Sequence, residues 1–279
     1  FEELKDAVLK IGEPKFKANQ IFDWIHNKTV ESFDDMTNLS QKTKAALKNE
    51  YEFTKAIIEL KLESKLDETK KYVIKLEDNN IVESVYLKYK FGNTACISSQ
   101  VGCKMGCHFC ASTKNGFIRN LTAAEMLKQI YLIQNDINEK ISNVVIMGSG
   151  EPLENFDNIV RFLNIINDER GQNISMRKIT LSTSGIVPNI YKLADENIPI
   201  TLAISLHAST QEKREQIMPI AKKYKLPEIF KACDYYIKTT GRRLTFEYIM
   251  IKGFNDSRED AENLSRLLKN KLANVNLIP

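Results

Sequence analysis

The chain has 279 residues, 43% apolar and 27% charged, with a formal net charge of +4. This composition reads as soluble and globular, is long enough for one large domain plus an appendage, and holds no apolar run near the ~20 residues of a membrane-spanning helix. Five cysteines in so long a chain, three of them between positions 103 and 110, argue against a secreted disulfide framework and point to reduced thiols in a cytoplasmic protein, used for a metal or for catalysis.

The first segment, residues 1–55, is predicted to be helical. FEELKDAVLK is amphipathic and is not a signal peptide; it does not begin with Met, so a few preceding residues are expected. Ile21, Phe22, Trp24 and Ile25 recur at helical spacing, and Ser40 is placed to cap a helix over SQKTKAALKNEY. The segment reads either as a solvated appendage or, if its lysines cluster on one face, as an RNA-contacting domain. Residues 56–95 alternate like strands. KKYVIKLED and IVESVYLKYK, joined at Asn79–Asn80, form a β-hairpin extension. Ile81, Glu83, Val85 and Leu87 share a face by period two, so Glu83 is an acid in an apolar row. A buried carboxylate is costly unless it is paired or used. The other reading is an edge strand with Glu83 pointing at water.

From residue 96 to 279 strands and helices alternate. The strands are TACISSQ, NVVIMG, KITLSTS, ITLAISLHA, RLTFEYIMI and ANVNLIP. Thr122 with Glu125 and Ser209 with Glu212 read as capping boxes. Pro188 suits a first helical turn, and Gly241 suits a helix end. The alternation predicts an α/β fold with a parallel sheet and right-handed crossovers. Six strands make a partial (β/α)6 TIM-like barrel, short of the eight that close one. The last strand ends at Pro279, so the domain is expected to continue beyond it.

Cys103, Cys107 and Cys110 have the spacing Cys-x3-Cys-x2-Cys in a loop with Gly102 and Gly106. The loop follows the first barrel strand, at the carboxyl end of the sheet, where such folds put their chemistry. A structural zinc site wants four ligands, and so does a ferredoxin cluster. His108 is poorly placed beside Cys107. Cys96 is a conceivable fourth ligand, which leaves a zinc-stabilised RNA-binding module open. Three cysteines leave one iron of a four-iron cluster without a protein ligand, and an open position is what a catalytic site keeps.

The spacing, with Phe109 before the last cysteine, resembles the signature of radical S-adenosylmethionine (SAM) enzymes. CISSQVGCKMGCHFCAS, GFIRNLTAAEMLKQI, VVIMGSGEPLEN, ITLSTSGIVP, LAISLHA, EYIMIKGFND and VNLIP are together similar to the RlmN/Cfr family of adenine-C2 RNA methyltransferases, over essentially the whole chain. Pro152 and Pro279 resemble its RlmN branch. The resemblance implies that Cys103, Cys107 and Cys110 ligate a [4Fe–4S] cluster whose open iron takes SAM, with cleavage to a 5′-deoxyadenosyl radical. It implies SAM contacts at Gly150, Glu151, Ser182, Ser205, Leu206, His207 and Asn276, with Phe109 lining the adenine pocket. Glu83 would accept a proton near the substrate carbon, its pKa raised by desolvation. Cys96 would be a resolving cysteine that releases a covalent adduct. The family's methyl-carrying cysteine lies in a segment past VNLIP. Cys233 does not match it, so cluster and SAM binding are expected of these residues, and methyl transfer is not.

The implied substrate is an adenosine of 23S rRNA, and in related enzymes of tRNA, extruded from its stack to reach the pocket. Lys222, Lys223, Lys225, Arg242 and Arg243 are candidate phosphate contacts. Flavodoxin or ferredoxin is the implied electron donor, and the chain is expected to be monomeric. A different radical SAM enzyme, acting on a small molecule or a protein, is the remaining alternative.

Overall fold

The computed structural model describes residues 1–279. Three helices open the chain: α1 (Glu2–Lys10), α2 (Lys17–His26) and α3 (Gln41–Glu50). They bury Val8, Ala18, Ile21 and Leu47 in a small core of their own. The Ser40 hydroxyl accepts from the Thr43 N–H, so α3 is capped as its sequence predicts.

Four strands follow: β1 (Ala56–Glu63), β2 (Lys70–Leu76), β3 (Ile81–Tyr89) and β4 (Gly92–Cys96). The β2–β3 turn uses Asn79 at φ 63°, a left-handed conformation that asparagine tolerates. The extension is therefore larger than a hairpin, since β1 adds a third antiparallel strand. It is also joined to the barrel. β4 pairs antiparallel with β3 through Val85 and Cys96, and parallel with the strand Asn143–Ile146 through Cys96 and Val145.

A short ribbon of β5 (Gln100–Gly102) and β6 (Phe117–Asn120) brackets that loop. After it come α4 (Ala123–Ile137), β7 (Asn143–Ile146), α5 (Phe156–Asn167), β8 (Ile179–Thr183), α6 (Val187–Asp195), β9 (Thr201–Ser205), α7 (Gln211–Ile217), α8 (Leu226–Thr240), β10 (Leu244–Ile249), α9 (Arg258–Leu268) and β11 (Ala273–Ile278). The main sheet has nine strands in the order β1-β2-β3-β4-β7-β8-β9-β10-β11. From β4 to β11 it is parallel, because each strand returns through a helix. It stays open, with β1 and β11 as its edges.

Thr122 and Glu125 form the expected capping box on α4. The cap of α7 differs by one residue. Thr210, not Ser209, accepts from the Lys213 N–H, while the Ser209 hydroxyl donates to buried Asp260. Gly241 closes α8 at φ 65°.

Side chains alternate along each strand. Val144, Ile146, Leu181, Leu202, Ile204 and Phe246 are buried against the helices, where each such side chain stabilises by about 1.5–3 kcal/mol. The opposite face carries Val145, Thr180, Ser182, Ser205, Glu247 and, on the edge strand, Asn276. These side chains are smaller or polar, and most are only partly buried.

Candidate active site

The cysteine loop is held at its base by a bond from the Cys103 N–H to the Gly116 carbonyl at 3.1 Å. A glycine is required beside it. Gly102 sits at φ +70°, and a Cβ there would lie 1.9 Å from the Gly116 oxygen. The loop leans on α7, where the His108 N–H donates to the Ile217 carbonyl at 2.9 Å. The His108 side chain is exposed.

Cys103, Cys107 and Cys110 line one cavity of about 290 Å3 together with Phe109, Gly150, Glu151, Ser182, Ser205, His207 and Glu247. No three His, Cys, Asp or Glu side chains gather tightly enough to hold a single metal ion. A tetrahedral zinc would bring its sulfurs to about 3.8 Å from one another. Thiols spaced around a cavity wall suit a larger, polynuclear group with one face open to the cavity. Burial pushes the Cys103 thiol up to about 11 and the Cys107 thiol up to about 12. Both are therefore protonated at neutral pH until a metal withdraws the proton.

The remaining wall comes from the carboxyl ends of five strands, β7 to β11. Gly150, at φ +110°, passes so close to Gln100 that a Cβ would meet that side chain at 2.6 Å. Glu151 is buried, and its carboxylate accepts from the Leu153 N–H at 3.0 Å, the Thr183 hydroxyl at 2.7 Å and the Ser184 N–H at 2.6 Å. Desolvation still raises its pKa. It thus ties the end of β7 to the end of β8, and Oε2, with one acceptance, keeps a lone pair for a further donor.

Ser182 and Ser205 hydroxyls face each other at 3.4 Å. Leu206 does not reach the cavity: its side chain is fully buried in the core, and it takes part through its backbone, donating to the Glu247 carbonyl at 3.0 Å. His207 adopts φ 56°, rare for a non-glycine residue. Its Nδ1 accepts from the Ile249 N–H at 3.1 Å, so Nε2 carries the ring proton. Desolvation and then Arg214 lower its pKa to about 4, which keeps the ring neutral. Phe109 packs edge-on against that ring at 4.7 Å.

Asn276 lies outside the cavity wall but donates to Glu247 Oε2 at 2.7 Å. Glu247 was not among the residues expected from the sequence. It is 8% exposed, and desolvation raises its pKa. The available signal was an acid in the apolar strand LTFEYI, the same pattern that drew attention to Glu83.

Glu83 corrects an expectation. The buried row of β3 is Val82, Ser84 and Tyr86, and Ile81, Glu83, Val85 and Leu87 face the other way. Glu83 is exposed and pairs with Lys71 at 2.7 Å, so the desolvation expected of it is absent. It lines a separate groove of about 450 Å3 beside the cysteine loop, with Asn80, Ser112 and Ser149. Val85 is the register partner of Cys96, and Cys96 of Val145. Glu83 and Cys96 therefore share the sheet face that further along bears Ser182 and Glu247. The Cys96 thiol is not in the cavity wall, and burial pushes it up to about 11. Cys233 is fully buried on α8 in the core.

Comparison with known proteins agrees with this arrangement. Residues 97–266 match the radical SAM superfamily. Residues 1–53 match the ribosomal RNA large subunit methyltransferase N-terminal domain. The chain is 54% identical over 278 residues to a probable dual-specificity RNA methyltransferase RlmN of Clostridium novyi (strain NT), covering 81% of that protein. It is 56% identical over 278 residues to the protein of the same description from Alkaliphilus oremlandii (strain OhILAs), again covering 81%. Among solved structures, a radical SAM methyltransferase from Sphaerobacter thermophilus superimposes with a TM-score of 0.95 at 38% identity, over the whole of this chain and 82% of the other. No helix is long and apolar enough to cross a membrane. With 54% identity along its full length and a cysteine loop facing the strand ends of a parallel sheet, the chain belongs to the RlmN family of radical SAM methyltransferases.

Proposed function

We propose that the protein serves C2 methylation of an adenosine in RNA, 23S rRNA and also tRNA, by radical SAM chemistry through a methyl-cysteine intermediate, with cluster and SAM binding, but not the methyl-carrying cysteine, assigned to these residues. The observation that carries the proposal is the placement of all three loop cysteines on the wall that also bears Gly150, Glu151, Ser182, Ser205 and His207. Cys103, Cys107 and Cys110 would hold a [4Fe–4S] cluster. That group, when bound, supplies the electron for reductive cleavage of SAM.

The chain's own residues would bind and orient. Glu151 Oε2 and the serine hydroxyls offer polar contacts for the methionine part of SAM. The neutral His207 offers an Nε2–H donor. Phe109, held against His207, offers a ring for stacking beside adenine. Asn276 fixes Glu247, whose carboxylate faces the same cavity. Glu83, exposed on the shared sheet face, would take the proton from the adenine carbon. It would lose its bond to Lys71 and become desolvated only when RNA covers it. Cys96 would serve release of the covalent adduct. Its high pKa means that it is a thiol at rest and would need its proton removed before acting as a nucleophile. None of the five cysteines matches the family's methyl-carrying one, since Cys233 is packed in the core. Flavodoxin or ferredoxin would be the electron donor, and the acting species a cytoplasmic monomer.

Anaerobic reconstitution with iron and sulfide tests the reading. Broad brown absorbance with reductive SAM cleavage is expected. Stoichiometric zinc without colour or cleavage would instead identify a zinc-stabilised RNA-binding module.

A further inference from the structure

Arg214, on α7, is the largest fully buried side chain in the molecule. Its guanidinium makes no ion pair with a carboxylate. Nε donates to the Leu206 carbonyl at 3.2 Å, and Nη2 donates to the Ser184 and Ser205 carbonyls at 2.6 and 3.2 Å. Nη1 is buried without any partner. Glu151 approaches the same strand end but meets Arg214 only through a shared residue: it accepts from the Ser184 N–H, while Arg214 donates to the Ser184 carbonyl. A buried cation without a counter-charge is costly, and a buried donor left unmade adds to that cost. Three carbonyls satisfy hydrogen bonds but do not neutralise charge. Ser184 and Ser205, whose carbonyls take the guanidinium, line the same cavity as Cys107, so the cation lies directly behind the wall that the cysteine loop faces.

We propose that Arg214 is the counter-cation of the thiolate-bound cluster, a positioning residue whose charge is balanced only when the three cysteines hold their metal, and that it raises the cluster's reduction potential. The inference rests on the cluster reading above. Thiolate ligation puts negative charge beside the guanidinium, and one-electron reduction adds more. A fixed cation in a low-dielectric wall therefore stabilises the reduced state more than the oxidised one. The same side chain fixes α7 against the ends of β8 and β9. Since α7 receives the His108 N–H of the cysteine loop, charge and loop are held by one helix.

The test compares reconstituted wild type, Arg214→Met and Arg214→Lys, with far-UV circular dichroism as the fold check. Iron and sulfide content are measured, and the cluster midpoint potential is read by electron paramagnetic resonance during dithionite titration. Arg214→Met is expected to load and to show a lower potential. A tenfold loss in the reduction equilibrium is a shift of about 59 mV for one electron. Arg214→Lys, which keeps the charge but cannot reproduce the fork to three carbonyls, should stay near wild type. If Arg214→Met fails to load while Arg214→Lys loads, the charge is again what matters. A loaded Arg214→Met with the wild-type potential overturns the proposal, as does failure of both variants to load, which would make Arg214 a staple only. Failure of the wild type to load would instead remove the cluster reading itself.

Discussion

Glu83 and Glu247 are both acids on alternating strands, and their surroundings separate them. Glu83 has a lysine across the strand and water around it. Glu247 is buried, with its carboxylate tied to Asn276 and raised in pKa by desolvation. Sequence alternation reveals which residues share a face but not which face is covered, and that is decided by what packs on the sheet. Glu83 is therefore legible in the sequence as an acid in an apolar row, but its exposure and the burial of Glu247 are not. Losing the Lys71 pair should cost less than about 1 kcal/mol, because both partners are exposed. Lys71→Ala should therefore leave the melting temperature nearly unchanged. Asn276→Ala leaves the Glu247 carboxylate without its donor and is expected to weaken SAM binding about tenfold, about 1.4 kcal/mol by isothermal titration calorimetry. Unaltered affinity in that variant would take Asn276 and Glu247 out of the SAM site. Glu83→Gln should leave SAM binding intact and, in an enzyme competent for methyl transfer, trap a covalent enzyme–RNA species. Normal turnover would remove Glu83 from proton transfer.

At the level of elements, long periodic segments were legible, and their caps mostly so. Thr122 and Glu125 cap α4 as their spacing indicates. Ser209 lost the α7 cap to its neighbour because Asp260, distant in sequence, takes its hydroxyl. Three- and four-residue strands carry too little pattern to be read, so the β5–β6 ribbon was not anticipated. It pairs Gly102 with Phe117 at the base of the cysteine loop. Gly102→Ala would force a side chain into the Gly116 carbonyl at a left-handed φ, costing on the order of 1–3 kcal/mol locally. The expected outcome is a chain with normal far-UV circular dichroism and sharply reduced iron uptake. Full iron loading would show that the ribbon does not govern the loop. Thr210→Ala should lower stability by about 1 kcal/mol in urea unfolding, through loss of the α7 cap.

Over the whole molecule, two relations depend on contacts that no local pattern encodes. One is the docking of the helical segment on the barrel. His26 meets the Tyr131 hydroxyl at 2.8 Å, and its backbone carbonyl accepts from Gln172. Burial lowers its pKa to about 4, as it does for His207. Between about 4 and the ordinary value of 6.5 the unfolded chain binds protons that the folded chain does not. Stability is thus complete above that window and declines as pH falls through it, by at most about 3 kcal/mol per histidine. His26→Gln should flatten the fall in melting temperature between pH 6.5 and 4, and an unchanged slope would mean that the docked histidine is not the titrating group. The other relation is where basic residues lie relative to the cavity. Arg242 reaches Thr201 at the start of β9, the amino end of the sheet, away from the chemistry. Lys222 and Lys223 are exposed just after Pro219, which packs under Gly106 of the cysteine loop, at the carboxyl end. On the proposed function the target adenosine would enter at the carboxyl end, which would bring phosphates nearer Lys222 and Lys223 than Arg242. Each phosphate contact contributes about one unit to the slope of log affinity against log salt. Lys222→Ala with Lys223→Ala should therefore reduce that slope by about two in filter binding to an rRNA fragment, while Arg242→Ala leaves it unchanged. The reverse pattern would place the RNA on the opposite end of the sheet and would separate the nucleic-acid surface from the cysteine cavity.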